Sequence, residues 1–401
     1  MFLFVGIVLF VIALGLLVPI LVLFVECSAA LLPNRSETKA VKEPRPKVTI
    51  LVPAHDEALG IGATLETLLP QLTEKDRIVV VADNCSDETA AISRRFGVTV
   101  IERQDTELLG KGYALDYGLR FIEKEPPDVV VVVDADCIVH QGTIEQIACL
   151  AVAVARPVQV TYLMEQPTNP GPKDAVSALA FMVKNLVRPS GLARLNLPCL
   201  LTGTGMAFPW SVLQNVTLAS SNIVEDMQLA LDLAISGSAP IFCQSGRVIG
   251  RLPAQTQAAK SQRTRWEHGH LQTLLTQVPK LFQASIRQKS FDLLALALDL
   301  CIPPISVLVM IWVAVTGSAV FAATLGASWV PTIILVLEGL LIFISIVGAW
   351  AKFGRADLPM LTLLAVPSYV LWKIPLYFSF LLRRQTKWVR TERDAVDAPE
   401  S

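Results

Sequence analysis

Two carboxylates separated by one residue, Asp134 and Asp136, close the run Asp128-Val129-Val130-Val131-Val132-Val133. Five consecutive valines read as a strand buried on both faces, as in a parallel sheet flanked by helices. Residues two apart on an extended chain project to one side, so both carboxylates can converge on a divalent cation just beyond the strand's carboxyl end. That edge is where open α/β sheets bind ligands. A few hard oxygen ligands suit Mg²⁺ or Mn²⁺ held jointly with a substrate's phosphates, so a nucleotide-linked substrate is the first expectation. The plain alternative for such a pair at a strand end is a solvated turn.

The elements that must position these acids alternate. Val48 to Val52 is predicted as a strand, Ile61 to Leu72 a helix, Arg77 to Ala82 a strand, Ser86 to Phe96 a helix, Val98 to Ile101 a strand and Gly112 to Glu123 a helix, followed by the valine strand. This order implies a parallel, doubly wound α/β sheet with right-handed crossovers. Polar clusters then fall at strand ends: Pro53-Ala54-His55-Asp56-Glu57, Asp83-Asn84-Cys85-Ser86-Asp87 and Asp134-Ala135-Asp136.

Apolar segments flank this unit. The 401 residues are 53% hydrophobic, with a mean hydropathy of +0.52, too apolar for a purely soluble chain. Phe2 to Val25 carries no charge and is long enough to cross a bilayer. No basic region precedes it and no small-x-small site ends it, so an anchor is favoured over a cleaved signal peptide. Lys39, Lys42, Arg45 and Lys47 follow it and place its carboxyl end on the cytoplasmic side. Between Leu293 and Trp350 the only ionisable side chains besides Cys301 are Asp299 and Glu338, leaving room for spans at Pro303–Leu325 and Pro331–Trp350. Leu358 to Leu382 is bounded by basic residues at both ends and reads as re-entrant or interfacial, with a third C-terminal crossing as the alternative. The resulting organisation is an anchor at 1–25, a linker at 26–45, a cytosolic domain at 46–282, a membrane region at 283–382 and a cytoplasmic tail at 383–401. A multi-pass protein of the inner cell membrane is expected.

Net charge is −1, which gives no electrostatic footprint for nucleic acid. The seven cysteines contain no C-x-x-C pair and read as reduced thiols, without a disulfide framework or zinc site.

Taken in order, the P-A-H-D-E opening, A-D-N-C-S-D, G-K-G-Y-A-L-D at Gly110 to Asp116, D-A-D, Thr202-Gly203-Thr204-Gly205, Val224-Glu225-Asp226 and Gln262-Arg263-Thr264-Arg265-Trp266 run through most of the chain. With spans on both sides, the chain resembles the membrane-integrated family 2 glycosyltransferases, which include cellulose, chitin, hyaluronan and poly-N-acetylglucosamine synthases. The resemblance implies a GT-A, Rossmann-like nucleotide-sugar-binding domain with N- and C-terminal transmembrane helices. It further implies inverting transfer from a nucleotide-diphosphate sugar to a glycan or lipid-linked acceptor in exopolysaccharide or cell-envelope glycan synthesis, with an export partner. A single-transfer glycolipid synthase and a degenerate nucleotide-binding scaffold are the rival readings.

The resemblance assigns nucleotide contacts to Glu57, Asp83 and Asp134, diphosphate contacts to Lys111 and Arg265, the metal to Asp136 and the general base to Asp226. Glu225 supports the base. Gln262 and Trp266 start a predicted amphipathic helix and line the acceptor side, and Thr202 to Gly205, with Thr204 and Gly205, is expected as a flexible loop near the acceptor. Bare chemistry also allows plainer roles: caps and turns for Asp83 and Glu57, solvent exposure for Lys111, first-turn charge for Glu225 and Asp226, and interfacial anchoring for Arg265 and Trp266. His268 and His270 lie two apart on a helix and do not share a face, so they are not read as metal ligands.

Overall fold

The computed structural model describes residues 2–33, 45–166, 171–214, 216, 218, 219, 224–251 and 256–382. In chain order its elements are α1 (Phe2–Leu31), β1 (Val48–Ala54), α2 (Ile61–Leu68), β2 (Arg77–Asp83), α3 (Thr89–Arg95), β3 (Thr99–Arg103), α4 (Lys111–Ile122), β4 (Val129–Val132), β5 (Cys137–Val139), α5 (Thr143–Val154), β6 (Val158–Met164), α6 (Pro172–Met182), α7 (Arg188–Arg194), β7 (Met206–Pro209), α8 (Trp210–Leu213), α9 (Glu225–Ile235), β8 (Ile241–Gly250), α10 (Thr256–Gln288), α11 (Phe291–Leu300), α12 (Ile305–Thr324), α13 (Val330–Ala349) and α14 (Val366–Leu382). Most of the expected linker and the tail from 383 lie outside the described residues. Two compact units result, one from Ser36–Glu165 with Cys199–Gly269, the other from Met1–Arg35, Gln166–Pro198 and His270–Arg383.

The first unit is built on one sheet of order β3-β2-β1-β4-β7-β6-β8-β5. β1 pairs in parallel with β2 and β4, and β2 with β3, as the strand–helix alternation predicts. Past β4, beyond the alternating stretch, the sheet is mixed. β7 runs antiparallel to β4 and to β6, β6 is parallel to β8, and β5 is antiparallel to β8. The chain between β6 and β7 passes through the other unit. It is therefore no strand–helix–strand crossover and does not force the parallel sense.

Alternate residues of the central strands, Leu51, Val79, Val81, Val130, Val132, Met206 and Phe208, belong to one core with Leu115, Leu119 and Ile122 of α4 and Leu229, Ala230 and Leu233 of α9. These two helices therefore cover one face of the sheet. Their first residues, Lys111 and Glu225, are the ones that must reach its edge. Gly118 allows the approach of α4: a Cβ there would lie 2.5 Å from Leu51 Cδ1.

In the second unit α1, α12, Val330–Gly354 and Leu363–Phe380 are long and apolar enough to cross a membrane. A 3₁₀ turn at Met360–Ala365 leads into the continuous α14. α1 continues past Val25 to Leu31 although Glu26 interrupts its apolar run. The reason is a buried cation: Arg188 Nε donates to Glu26 Oε2 at 2.7 Å, and Nη2 donates to the Asp299 carbonyl at 2.7 Å and to its carboxylate. All three residues are at most 5% exposed. Gly191 sits against Glu26, where a Cβ would stand 1.9 Å from the backbone oxygen. Lys352 Nζ donates to the Ala30 and Leu32 carbonyls at 2.8 and 3.0 Å, placing positive charge at the end of α1.

Removing one member of a buried ion network leaves the others uncompensated, whereas apolar replacement of the whole set is often neutral. Arg188→Leu should therefore destabilise the detergent-solubilised protein by about 3–5 kcal/mol. The triple variant Arg188→Leu, Glu26→Met, Asp299→Leu should recover most of that loss in thermal unfolding. A single variant as stable as the parent would show that the network carries no stability.

Candidate active site

At the carboxyl end of β4 the chain turns through Asp134-Ala135-Asp136, and this turn is held from both sides. Thr64 Oγ1 of α2 donates to the Ala135 carbonyl at 2.8 Å. On the other side the Asp134 N–H donates to Thr204 Oγ1 at 3.0 Å. Lys111, at the first position of α4, forms an ion pair with the Asp134 carboxylate and donates to the Gly203 carbonyl at 2.7 Å.

Residues 202–205 are tied into the sheet edge by hydrogen bonds and packing. Thr204 is fully buried, and Gly203 and Gly205 have φ of +90° and +64°. Gln159, 1% exposed, accepts from the Thr202 N–H at 2.8 Å and donates to the Thr204 carbonyl at 2.9 Å. The Thr204 hydroxyl is thus engaged twice, accepting from the Asp134 amide and donating to Cys137 Sγ at 3.8 Å. Gly205 is packed against Val160 and Val248, where a Cβ would lie 2.4 and 2.9 Å from their methyl groups. Neither lines an open acceptor surface; both hold the turn.

α9 begins at Glu225, so the acidic pair occupies its first turn. Asp226 Oδ1 accepts from the Met227 N–H at 2.8 Å. Its Oδ2 faces Gly203: a Cβ built on that glycine would be 3.3 Å from Oδ2 and 3.5 Å from Lys111 Nζ. Burial opposes the charge on Lys111, but Asp134, Glu225 and Asp226 outweigh it and raise the ammonium's pKa. Burial lifts the Glu225 carboxyl to about 7, with Lys111 pulling it down and Asp226 pushing it up. A cleft opens here, walled by Lys111 and by Glu225, Asp226 and Asp232 of α9, over a floor that includes Leu115, Met206 and Leu229.

The β1 and β2 ends form a second cluster. Glu57 precedes α2; its N–H donates to Thr89 Oγ1 at 2.7 Å and its carbonyl accepts from Gly60 and Ile61. Asp56, at φ +51°, accepts from the Ser86 N–H at 2.6 Å, and Asp87 accepts from the Ala58 N–H at 2.9 Å. Asp56 and Asp87 are therefore turn-forming acids. Asp83 is 6% exposed and accepts from Arg103 Nη1 at 2.7 Å.

Gln262, Arg265, Trp266 and Gly269 fall at i, i+3, i+4 and i+7 on α10 and share one face. Gly269 packs on Val224, the residue before the acidic pair, where a Cβ would lie 2.7 Å from Cγ1. The helix face read as site-lining thus faces the start of α9. His268 and His270 are buried and enter no metal-ligating group among the described residues. The sequence reading missed Arg103, Gln159 and Thr64. Gln159, a lone polar residue in the apolar run Val158-Gln159-Val160, carried a usable signal; Arg103, ending a strand predicted to stop at Ile101, did not.

A divalent cation fits the donor chemistry. Ligand atoms of Asp134, Asp136 and Cys137 lie within 4.8 Å of one another. Burial holds the Cys137 thiol well above its usual pKa, leaving the carboxylates as the hard ligands.

Gly203→Ala places a methyl between Asp226 and Lys111 in a left-handed conformation. Turnover should fall by roughly tenfold or more, with a stability loss of about 1 kcal/mol. Gly205→Ala meets the walls of the core and should cost several times more stability. Paired thermal melts and initial rates check both, and equal melting shifts would contradict the division of labour.

A family model for glycosyltransferase like family 2 matches residues 44–269, more than half of the chain. Over 99 residues the sequence is 39% identical to a probable glycosyltransferase, YdaM, of Bacillus subtilis, covering 23% of each chain. Over 109 residues it is 29% identical to the 4,4'-diaponeurosporenoate glycosyltransferase of Staphylococcus aureus, covering 26% of this chain and 29% of that one. The matched stretches thus span less than a third of these relatives' length. The mannosyltransferase PcManGT from Pyrobaculum calidifontis, solved with GDP-Man and Mn²⁺, superposes with a TM-score of 0.53 at 18% identity, over 93% of this chain and 99% of that one, a likeness of GT-A fold. The chain belongs to glycosyltransferase family 2.

Proposed function

We propose that the protein is an inverting glycosyltransferase of the inner membrane that transfers a sugar from a nucleotide-diphosphate donor to a glycan or lipid-linked acceptor, with its catalytic unit in the cytoplasm. The observation that carries this reading is the convergence of Lys111, Asp134 and Asp226 around Gly203, one acid after β4, one in the first turn of α9 and a cation, beside an open cleft. Basic residues following the first apolar segment support the orientation.

In this mechanism Asp226 takes the proton from the acceptor hydroxyl as it attacks the anomeric carbon from the face opposite the diphosphate. One of its oxygens is tied to the Met227 amide and the other faces the Gly203 turn, so the acceptor of the proton is preorganised. Glu225, the neighbouring acid in the same first turn, supports the site. Asp136, beside Asp134, would hold Mg²⁺ or Mn²⁺, which when bound supplies positive charge to the departing diphosphate. Lys111 and Arg265 offer further cations to the phosphates, and Glu57, Asp83 and Asp134 orient the nucleoside. Gln262 and Trp266 line the acceptor side, Trp266 as a stacking wall.

Asp226→Asn should lower turnover by a factor of order 10² to 10⁴ while nucleotide affinity, read by calorimetry, changes little. Glu225→Gln should keep more activity. If Asp226→Asn abolishes nucleotide binding while Glu225→Gln abolishes turnover alone, the two roles are reversed. Asp136→Asn should abolish transfer and weaken Mn²⁺ binding measured by electron paramagnetic resonance; unchanged Mn²⁺ affinity would place the metal elsewhere.

A further inference from the structure

Arg103 ends β3 with its guanidinium almost wholly enclosed, at 8% exposure. Nη1 donates to Asp83 Oδ1 at 2.7 Å, and Nη2 donates to Asp105 Oδ2 at 3.1 Å and to the Leu108 carbonyl at 2.7 Å. The group also lies 5.7 Å from the ring centroid of Tyr113 in α4. A planar, permanently charged fork held at this many points has one orientation. Asn84, at φ +52°, adds a second donor to the same oxygen: its Nδ2 reaches Asp83 Oδ1 at 3.2 Å. Asn84 is itself fixed, its N–H donating to the Arg103 carbonyl at 2.8 Å and its Oδ1 accepting from the Asp105 N–H at 2.8 Å.

The consequence is an asymmetric carboxylate. Both lone-pair positions of Asp83 Oδ1 are used, whereas Oδ2 accepts no hydrogen bond from the described residues. Asp83 ends β2 at the same edge of the sheet as Asp134, where ligands of open α/β sheets bind. A base docking on Oδ2 finds one acceptor. Guanine presents two adjacent donors, N1–H and N2–H, which match a carboxylate with both oxygens open. With Oδ1 taken, one of them is left buried without a partner, an outcome that costs more than an absent bond. Uracil presents a single ring donor, N3–H, and leaves nothing unpaired.

Resting on the reading of this edge as a nucleotide-sugar site, we propose that Arg103 is a specificity-determining positioning residue: by occupying one oxygen of Asp83 it selects a donor whose base carries a single ring N–H, a pyrimidine-2,4-dione such as uracil, over guanine.

The test is calorimetry on the full-length protein in detergent with Mn²⁺, using UDP, GDP and 3-methyl-UDP, in which the ring N–H is replaced. The parent protein should bind UDP at least about tenfold tighter than GDP or 3-methyl-UDP. Arg103→Gln removes the charged donor from Oδ1, leaving Asn84 on one of its two lone-pair positions and opening the other, so UDP should bind more weakly and the UDP-to-GDP preference should shrink to within about threefold. Arg103→Lys should fall between, because a point charge holds fewer of the partners. A purely structural Arg103 would weaken both nucleotides alike and leave the preference intact, which overturns the proposal. GDP binding the parent as tightly as UDP, or 3-methyl-UDP matching UDP, overturns it on the parent protein alone while leaving the nucleotide-sugar reading standing. Binding of neither nucleotide overturns both.

Discussion

The sheet edge depends on one cation. Lys111 sits between the Asp134 carboxylate and the Gly203 carbonyl, with Glu225 and Asp226 close enough to raise its pKa. Without it three acids would crowd a partly enclosed cleft, where unit charges a few ångströms apart repel far more strongly than in water. The same ammonium joins the first turn of α4, the end of β4 and the turn leading into β7, pieces separated by up to 92 residues. Thr204 and Gln159 complete the joint by satisfying the backbone of both turns. The acids can therefore be held close before any ligand arrives, which is the condition for electrostatic preorganisation.

This arrangement also explains the glycines. Gly203 leaves the gap between Asp226 and Lys111 open, and Gly205 lets the chain pass Val160 and Val248. Gly269, on the same face of α10 as Gln262 and Trp266, lets the helix approach Val224, the residue before α9. In each case the absence of a side chain sets how near two functional groups come.

Much of this was legible before the structure. The valine run, the strand–helix alternation and the strand-end position of Asp83, Asp134 and Asp136 follow from periodicity, because a buried parallel strand and its crossovers leave strong local patterns. The antiparallel sense of β7 did not, since strand direction depends on where the intervening chain travels rather than on the strand's own residues. The buried partners of acids were also hidden. Asp299 stood as a charge in an apolar stretch and Glu26 fell at the start of the expected linker, and Arg188, 162 residues from Glu26, pairs with both. Arg103 and Asp83 pose the same difficulty across 20 residues. The resemblance to family 2 glycosyltransferases supplied the order of the motifs, whereas the fixed 202–205 turn came only from the packing of Thr204.

The central claim is a single displacement at the anomeric carbon, driven by one carboxylate acting as base on the face opposite the leaving diphosphate. The stereochemistry of the product tests it most directly. Purified enzyme should be given an α-configured nucleotide sugar and its natural membrane acceptor, and the coupling between H1 and H2 of the transferred residue read by NMR. The account predicts a β-linked product. An α-linked product, showing retention, would contradict it and exclude Asp226 as the base of a direct displacement.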